Sequence, residues 1–261
     1  MEIKVLFQGF PGKLQRGFLG WSSMIYIASG KQKILVDTGS FGDAPEIPKR
    51  LAQINVKMEE IDTVFLSHFH YDHIINAHLF PNATYLLSKI EAEYVTGGSG
   101  DWAVPEYYFY HLEKTGRLKL VESEMKIAEG IRSIYTPGHT PGLMSLLIED
   151  ESMPTTLIAS DAVKNIAELQ TGNVPMAWDT TVSKQTIENI RDRVTRVIPG
   201  HDRILHVEKD RIVACHSIHE RIQLPPGISD VSGFDLGIPS TIGSEDCPCC
   251  KSLVDRRQLH E

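Results

Sequence analysis

The chain has 261 residues, 41% of them hydrophobic, and a formal net charge of −8 at pH 7. This apolar fraction is typical of a globular protein, and α/β folds of this length often form one unit. Acidic and basic residues are interspersed along the sequence, which argues against a nucleic-acid partner because such a partner needs a basic patch. No basic leader and no apolar run of about 18 residues is visible, so we expect a cytoplasmic protein without a membrane partner.

Strand and helix patterns alternate along the chain. The stretch KVLFQG reads as a first strand, and further strands are predicted at Met24–Ala28, Lys33–Asp37, Thr63–Ser67, Thr84–Ser88, Leu118–Val121, Arg132–Tyr135, Met144–Ile148 and Thr156–Ala159. A helix is predicted from about Val182 to Val194 with Ser183 as its N-cap. The stretch RILHVEKDRIVAC after it predicts a β-hairpin. These elements predict two packed sheets flanked by helices.

The segment between Ser67 and His73, SHFHYDH, is the most informative part of the sequence. His68, His70, Asp72 and His73 place three imidazoles and a carboxylate within six residues. Such side chains make a poor hydrophobic core, but their nitrogen and oxygen atoms are good ligands for zinc, iron or manganese. Four of them this close together favour a site for two metal ions.

Three later residues complete the set of candidate ligands. They are His139 in TPGHTPG, Asp161 in IASDAV and His201 in VIPGHD. Each follows an apolar, strand-like run, and Pro-Gly pairs flank both histidines. Proline and glycine form tight turns that end a strand abruptly and direct the next side chain into a cavity.

The seven residues divide between two predicted metal sites. The first site is assigned His68, His70 and His139. The second is assigned Asp72, His73 and His201, and Asp161 is predicted to bridge both ions through its two oxygens. Each ion then keeps an open position for a shared water, as in catalytic sites, whereas structural sites are closed by four protein ligands.

This pattern resembles the metallo-β-lactamase-fold superfamily. The family motif H-x-H-x-D-H matches at His68 to His73, and the later histidine, aspartate and histidine follow in the family's order. ILVDTG, which contains Asp37, is similar to the family's early strand and turn, where the aspartate supports the metal loop. The resemblance spans about residues 20–205 and implies an α/β fold, a four-layer αββα sandwich. We predict this domain over residues 1–235 and a tail over 236–261.

The resemblance also implies the chemistry. Two divalent ions are expected, zinc first and manganese or iron as alternatives, since one ligand set accepts all of them. Ions that share a water lower its pKa towards neutrality, so a metal-bound hydroxide is expected to attack an ester, lactone or thioester carbonyl. Asp72 is the predicted catalytic residue, because it can orient the nucleophile and carry a proton to the leaving group. The expected partner is a small-molecule substrate.

Within the family, NAHLFPNATYLLSKIEAEYV resembles the corresponding stretch of the N-acyl homoserine lactonases. Those enzymes usually carry a tyrosine shortly after the bridging aspartate, placed to help the substrate carbonyl. The matching stretch here, SDAVKNIAELQTGNVPMAW, has none. Tyr71 or a tyrosine of residues 107–110 is a candidate replacement.

Three alternatives stay open from the sequence. One is a glyoxalase II-like thioesterase, although that branch adds a long helical C-terminal region. Another is a dinuclear iron enzyme that uses oxygen, and the last is a metal-containing protein that binds a ligand without turnover.

Two further segments have open roles in the sequence. The aromatic stretch DWAVPEYYFYH, residues 101–111, fits a substrate pocket wall or a buried loop or dimer contact equally well, and Trp178 has the same ambiguity. The tail carries a Cys-Pro-Cys-Cys cluster with Cys247, Cys249 and Cys250. Its spacing is too tight for a usual zinc finger.

Overall fold

The computed structural model describes residues 1–209, 211–214 and 216–241. The strands of the first half are β1 (Glu2–Phe7), β2 (Lys13–Leu14), β3 (Gly17–Phe18), β4 (Met24–Ser29), β5 (Gln32–Val36), β6 (Thr63–Phe65), β7 (Thr84–Ser88) and β8 (Leu118–Val121). Its α-helices are α1 (Ile47–Gln53), α2 (Tyr71–Ile74), α3 (Lys89–Thr96) and α4 (Glu106–Lys114), and its 3-10 turns lie at Phe41–Asp43, Met58–Glu60 and Ala77–Leu79.

The second half continues with more strands than helices. The strands are β9 (Lys126–Ala128), β10 (Ile131–Tyr135), β11 (Met144–Ile148), β12 (Thr156–Ser160), β13 (Arg196–Pro199), β14 (Leu205–Val207), β15 (Ile212–Ala214), β16 (Ile218–Gln223) and β17 (Gly233–Ile238). The helices are α5 (Ile166–Thr171) and α6 (Thr180–Arg193).

Two large mixed sheets form the centre of the molecule. One has six strands in the order β1-β4-β5-β6-β7-β8, and the other has seven in the order β15-β14-β13-β12-β11-β10-β9. β5, β6 and β7 run parallel in the first sheet, as do β12 and β13 in the second. Parallel neighbours end at the same edge of a sheet, so the loops after β5 and β6 lie together, as do those after β12 and β13.

Alternating side chains on these strands form three apolar layers. Leu35 of β5 faces α1 to α4, whereas its neighbours Ile34 and Val36 face the second sheet. Likewise, Ile158 of β12 lies between the sheets and Leu157 packs with α5 and α6. This period of two is that of a strand buried on both faces. The predicted four-layer αββα sandwich is therefore confirmed.

Most of the predicted elements are present, and one helix start is different. The helix predicted from about Val182 begins at Thr180, because Asp179 Oδ1 accepts hydrogen bonds from the amides of Thr181 and Val182 at 2.8 and 3.0 Å. The prediction of Ser183 as the N-cap is wrong; it is buried within the first turns. The predicted hairpin after the helix is confirmed as β14 and β15.

The C-terminal part of the described chain is a separate hairpin of β16 and β17. The predicted domain boundary at residue 235 falls inside β17, and the division into domain and tail stays a prediction. Cys215 and the Cys-Pro-Cys-Cys cluster lie outside the described residues. None of the described helices is both long and apolar enough to cross a membrane.

Candidate metal centre

The seven predicted residues come from loops at one edge of the sandwich. The loop after β6 and the start of α2 carry His68, His70, Asp72 and His73. His139 follows β10, while Asp161 and His201 follow the parallel strands β12 and β13 almost directly. Because both sheets end at this edge, residues far apart in sequence lie within one cluster of candidate metal ligands.

A group of three histidines forms one half of the cluster. One nitrogen each from His68, His70 and His139 lies within 4.8 Å of the others. His70 Nδ1 lies 3.0 Å from His139 Nε2. Since His68 Nδ1 contacts Ser67 Oγ at 3.0 Å, its Nε2 is the atom left to face the group. Three neutral imidazole nitrogens converging in this way suit a divalent ion such as zinc.

Asp72, His73 and His201 form the other half. Asp72 Oδ2 lies 3.4 Å from His201 Nε2 and 3.7 Å from His73 Nε2. The two oxygens of Asp161 reach different halves: Oδ2 lies 3.2 Å from His139 Nε2, and Oδ1 lies 3.3 Å from both His73 Nε2 and His201 Nε2. The Asp161 carboxylate therefore sits between the two groups, as a bridging ligand would.

Several buried atoms at the centre of this cluster lack a hydrogen bond. His68 Nε2, His73 Nε2 and Asp161 Oδ1 are fully buried and have no hydrogen-bond partner among the described residues. Buried polar atoms without partners cost free energy, and native proteins rarely leave several of them together. Bound cations would supply the missing partners, so the residues present fit the two metal ions predicted from the sequence.

The two halves of the cluster differ in electrostatics. Burial lowers the pKa of His68 and His139 well below the usual histidine value, so both imidazoles are neutral and able to ligate. At His73, burial acts in the same direction, but the carboxylates of Asp161, Asp72 and Asp37 outweigh it and raise the pKa well above the usual value. Burial would raise the pKa of Asp161, but the surrounding histidines hold it well below the usual range.

The buried carboxylate of Asp37 supports the cluster through hydrogen bonds with its neighbours. Asp37 Oδ1 accepts a hydrogen bond from the Ser67 amide, and Oδ2 accepts from the hydroxyls of Ser67 and Ser160, each at 2.8 Å. His73 Nδ1 lies 2.8 Å from the same Oδ2. Asp37 and Ser160 both have left-handed backbone, with φ of 58° and 48°, a strained conformation that often marks functional sites. Asp37 thus orients His73. This is the supporting role that the family resemblance implied for Asp37.

Two more supporting carboxylates were not singled out by the sequence. Asp101 Oδ2 lies 3.0 Å from His70 Nε2. Glu91, in the first turn of α3, is fully buried and accepts hydrogen bonds from the Phe69 amide at 3.0 Å and the Thr140 hydroxyl at 2.7 Å. Glu91 therefore joins the loop of His70 to the loop of His139. Neither residue belongs to a recognisable motif, so only the fold shows their position.

A pocket of about 560 Å³ opens onto the cluster. Residues of the cluster of candidate metal ligands lie on its wall, together with a polar pair, Lys164 and Glu168. Its rim is largely aromatic and is formed by Phe18, Tyr71, Trp102 and Trp178. Trp102 is 66% exposed and stacks on Phe18.

The aromatic stretch 101–111 therefore divides between two roles. Asp101, Trp102 and Ala103 line the pocket, whereas Tyr108 and Phe109 are buried under the first sheet. No tyrosine of residues 107–110 lines the pocket, so Tyr71 is the remaining candidate from the sequence.

Comparison with known proteins identifies the family. The model of the metallo-beta-lactamase superfamily matches residues 18–201, which include all seven cluster residues. The chain belongs to the metallo-beta-lactamase superfamily. The N-acyl homoserine lactonase of Bacillus cereus is 27% identical over 178 residues, which cover 63% of this chain and 68% of the lactonase. Family and relatives together make the chain a metal-dependent hydrolase.

Two solved structures share the fold of this chain at lower identity. A mutant of Bacillus thuringiensis AiiA with N-decanoyl-L-homoserine bound at its active site aligns with a TM-score of 0.60 and 20% identity. The alignment covers 73% of this chain and 86% of that one. AidC, a dizinc quorum-quenching lactonase in complex with a homoserine product, aligns with a TM-score of 0.61 and 18% identity, covering 75% and 79% of the two chains.

Proposed function

We propose that this protein is a dinuclear hydrolase of lactones, of the N-acyl homoserine lactone type. The observation that carries the proposal is the Asp161 carboxylate, whose two oxygens face two separate groups of candidate ligands. Such an arrangement favours two ions that share one substrate position. The curated relatives of this chain also include N-acyl homoserine lactonases. The dizinc site named for AidC supports zinc as the metal.

All seven cluster residues have an assigned role in this proposal. His68, His70 and His139 would hold one ion, Asp72, His73 and His201 the other, and Asp161 both. When bound, the ions supply Lewis acidity, which makes water a better nucleophile and the carbonyl a better electrophile. The supporting contacts of Asp37 and Asp101 fix the histidine rings, so that the correct nitrogen of each ring faces the cluster.

Asp72 is the group we assign to proton transfer. Its carboxylate lines the pocket as well as contacting His201, so it lies at the border between the metal cluster and the substrate space. In lactone hydrolysis, the water oxygen bonds to the carbonyl carbon and the ring carbon–oxygen bond breaks. The proton from water passes through the Asp72 carboxylate to the ring oxygen, which leaves as an alcohol.

The pocket supports a substrate with an apolar part. Its polar groups lie near the cluster, while Phe18, Trp102 and Trp178 lie at the rim. Apolar walls with a few polar anchors are typical of small-molecule sites. An acyl lactone has this distribution, since its ring carries the polar ester and its acyl group is apolar.

The test is proton release by protein loaded with zinc or manganese. N-acyl homoserine lactones, simple esters, glutathione thioesters and a β-lactam are offered in parallel, and metal content is measured by mass spectrometry. We expect two ions per chain and fastest turnover with a lactone. His70→Ala should lose the first ion and all hydrolysis, because His70 Nδ1 faces the three-histidine group.

The matched control is His219→Ala, which removes an exposed histidine on β16. It should keep both ions and full activity. Fastest turnover with the thioester would point to the glyoxalase II-like alternative instead, and full activity of His70→Ala would refute the metal assignment.

A further inference from the structure

Three consecutive residues, Trp21, Ser22 and Ser23, connect the N-terminal part of the chain to the group of Asp72, His73 and His201. They lie directly before β4, and none of them is a candidate metal ligand. Ser22 and Ser23 are buried, with exposed fractions of 0% and 3%. Buried hydroxyl groups are normally hydrogen-bonded, so their partners show what this segment, Trp21–Ser23, holds in place.

The Ser22 side chain contacts the loop that carries Asp72. Its Oγ donates a hydrogen bond to the carbonyl oxygen of Asp72 at 2.5 Å. The carbonyl of the next residue, His73, is held separately by the Thr38 hydroxyl at 2.9 Å. Because the Asp72 carboxylate extends from the backbone that Ser22 contacts, its position depends on this hydroxyl.

Trp21 and Ser23 contact the loop that carries His201. His201 Nδ1 lies 2.9 Å from the carbonyl oxygen of Trp21, so Nδ1 carries the proton and the lone pair of Nε2 faces the cluster. The Ser23 amide donates to the Gly200 carbonyl at 2.7 Å, and the Ser23 hydroxyl donates to the Pro199 carbonyl at 2.8 Å. The segment therefore holds both the ring of His201 and the two residues before it.

The residues that follow β1 fix this segment in turn. The Phe10 amide donates to the Trp21 carbonyl, and the indole Nε1 of Trp21 donates to the Gln8 carbonyl, both at 2.9 Å. The rings of Trp21 and Phe10 are stacked, with centroids 4.9 Å apart. The Gly9 amide donates to Ser23 Oγ at 3.0 Å. The segment is thus a preorganised support for the loops that it contacts.

We propose that Ser22 and Ser23 are positioning residues that fix Asp72 and His201 relative to each other, so that the second metal site depends on them and the first does not. The inference rests on the proposed dinuclear hydrolase. Asp72 Oδ2 lies 3.4 Å from His201 Nε2, although the two residues come from separate loops. The segment bonds to both loops, whereas the three-histidine group has its own support in Asp101.

The experiment measures the two metal affinities separately in Ser22→Ala and Ser23→Ala. Protein loaded with cadmium-113 should give two NMR resonances, and the one that His70→Ala removes belongs to the three-histidine group. Titration with a chelator then gives the affinity at each site. Each serine variant should bind the ion of the second site about tenfold more weakly, as expected for a lost supporting contact, and the first ion normally.

The matched control is Ser133→Ala, which removes a fully buried hydroxyl from β10, where it accepts a hydrogen bond from the Met125 amide. It should change neither affinity. Equal weakening of both ions in the Ser22 and Ser23 variants would show a general structural role and overturn the inference. Unchanged affinities in these variants, or the same loss in Ser133→Ala, would overturn it too.

A measurement on the parent protein keeps the inference testable if a variant does not fold. Coupling is reciprocal, so contacts that favour the second ion must be strengthened when that ion binds. Exchange of the Ser23 amide hydrogen, which is bonded to the Gly200 carbonyl, should slow by the same factor of about ten on filling of the second site. Unchanged exchange, or slowing on filling of the first site, overturns the inference.

Failure of the proposed function can be told apart from failure of this inference. Two bound ions without lactone turnover would refute the lactonase proposal alone, because the affinities still decide the role of Ser22 and Ser23. A parent protein that binds a single ion would refute the dinuclear site and the inference together. Two ions and lactone turnover, with both affinities unchanged in the variants, would refute the inference alone.

Discussion

Asp101 Oδ2 lies 3.0 Å from Nε2 of His70, on the side of the ring opposite to the atom that faces His139. The same carboxylate accepts a hydrogen bond from the Tyr94 hydroxyl at 3.1 Å, and its other oxygen accepts one from the Ala103 amide at 2.9 Å. The hydrogen bond to His70 holds the pKa of Asp101 well below its usual range. Asp101 thus fixes His70 with its proton on Nε2 and its lone pair on Nδ1.

Replacing this carboxylate tests its effect on the metal site. Asp101→Asn keeps the side-chain shape but removes the charge, so zinc affinity should fall by about 10- to 100-fold. Competition with a chelating dye measures this affinity. Asp150→Asn, at an exposed carboxylate bonded to Ser152, is the control and should bind zinc normally. Unchanged affinity in Asp101→Asn would show that His70 needs no such support.

Glu91 gives a second prediction, on stability. In Glu91→Gln one carboxylate oxygen becomes an amide group, so either the Phe69 amide or the Gly142 amide loses its buried acceptor. An unsatisfied buried donor costs about 1–3 kcal/mol, and we expect a loss of that size in chemical denaturation. Glu93→Gln changes an exposed residue of the same helix and should have almost no effect. Equal stabilities would contradict the bridging role of Glu91.

Gly200 gives a third prediction, on the bridging aspartate. A Cβ atom at Gly200 would lie 2.0 Å from Asp161 Oδ1 and 2.9 Å from the Ser160 carbonyl carbon. Gly200→Ala should displace Asp161 and cost about 1–3 kcal/mol of stability through overpacking. Metal analysis should find fewer than two ions per chain. Gly42→Ala is the control because its Cβ meets no atom within 4 Å; two retained ions in Gly200→Ala would count against a bridging Asp161.

His216 predicts how stability depends on pH. Burial lowers the pKa of this imidazole to about 4, and its Nε2 lies 2.6 Å from Gln8 Oε1. The unfolded chain takes up a proton near pH 6.5, but the folded chain does not until about pH 4. The contribution is therefore complete above pH 6.5 and is lost as the pH falls towards 4, by about 3 kcal/mol.

The measurement is the free energy of unfolding between pH 4 and pH 7. The parent protein should lose more stability on acidification than His216→Gln, whose amide keeps a donor for Gln8. His219→Gln, at an exposed histidine, should follow the parent curve. Parallel curves for the parent protein and His216→Gln would disprove a buried neutral imidazole.

The sequence singled out the seven candidate ligands but not the carboxylates that contact them, for a physical reason. Histidine is a residue type that a hydrophobic core avoids. Because His68, His70 and His73 directly follow a predicted strand, the neighbouring sequence is enough to mark them as candidate metal ligands. Glu91 and Asp101 are ordinary acidic residues in a helix and a loop. Their roles depend on which distant segments the fold brings next to them, and no local sequence pattern shows this.

The layers of the fold were predictable for a similar reason, whereas element ends were less so. Alternating residues such as Ile34, Leu35 and Val36 reveal a strand buried on both sides. The start of α6 was missed because two residues upstream of the apolar stripe compete as caps, and Asp179 precedes Ser183. The hydrogen bonds from the Thr181 and Val182 amides to the Asp179 side chain decide between them.

The rim of the pocket has a consequence for how this enzyme can change over evolutionary time. Phe18, Trp102 and Trp178 come from three separate segments, and none of them belongs to the cluster of candidate ligands. Insertions or substitutions in those segments can reshape the entrance while the strand ends beneath remain intact. New substrate preferences are therefore accessible without rebuilding the reaction centre. A library confined to residues 13–18, 99–100, 102–103 and 175–178, with Asp101 left unchanged, is the natural place to select for them.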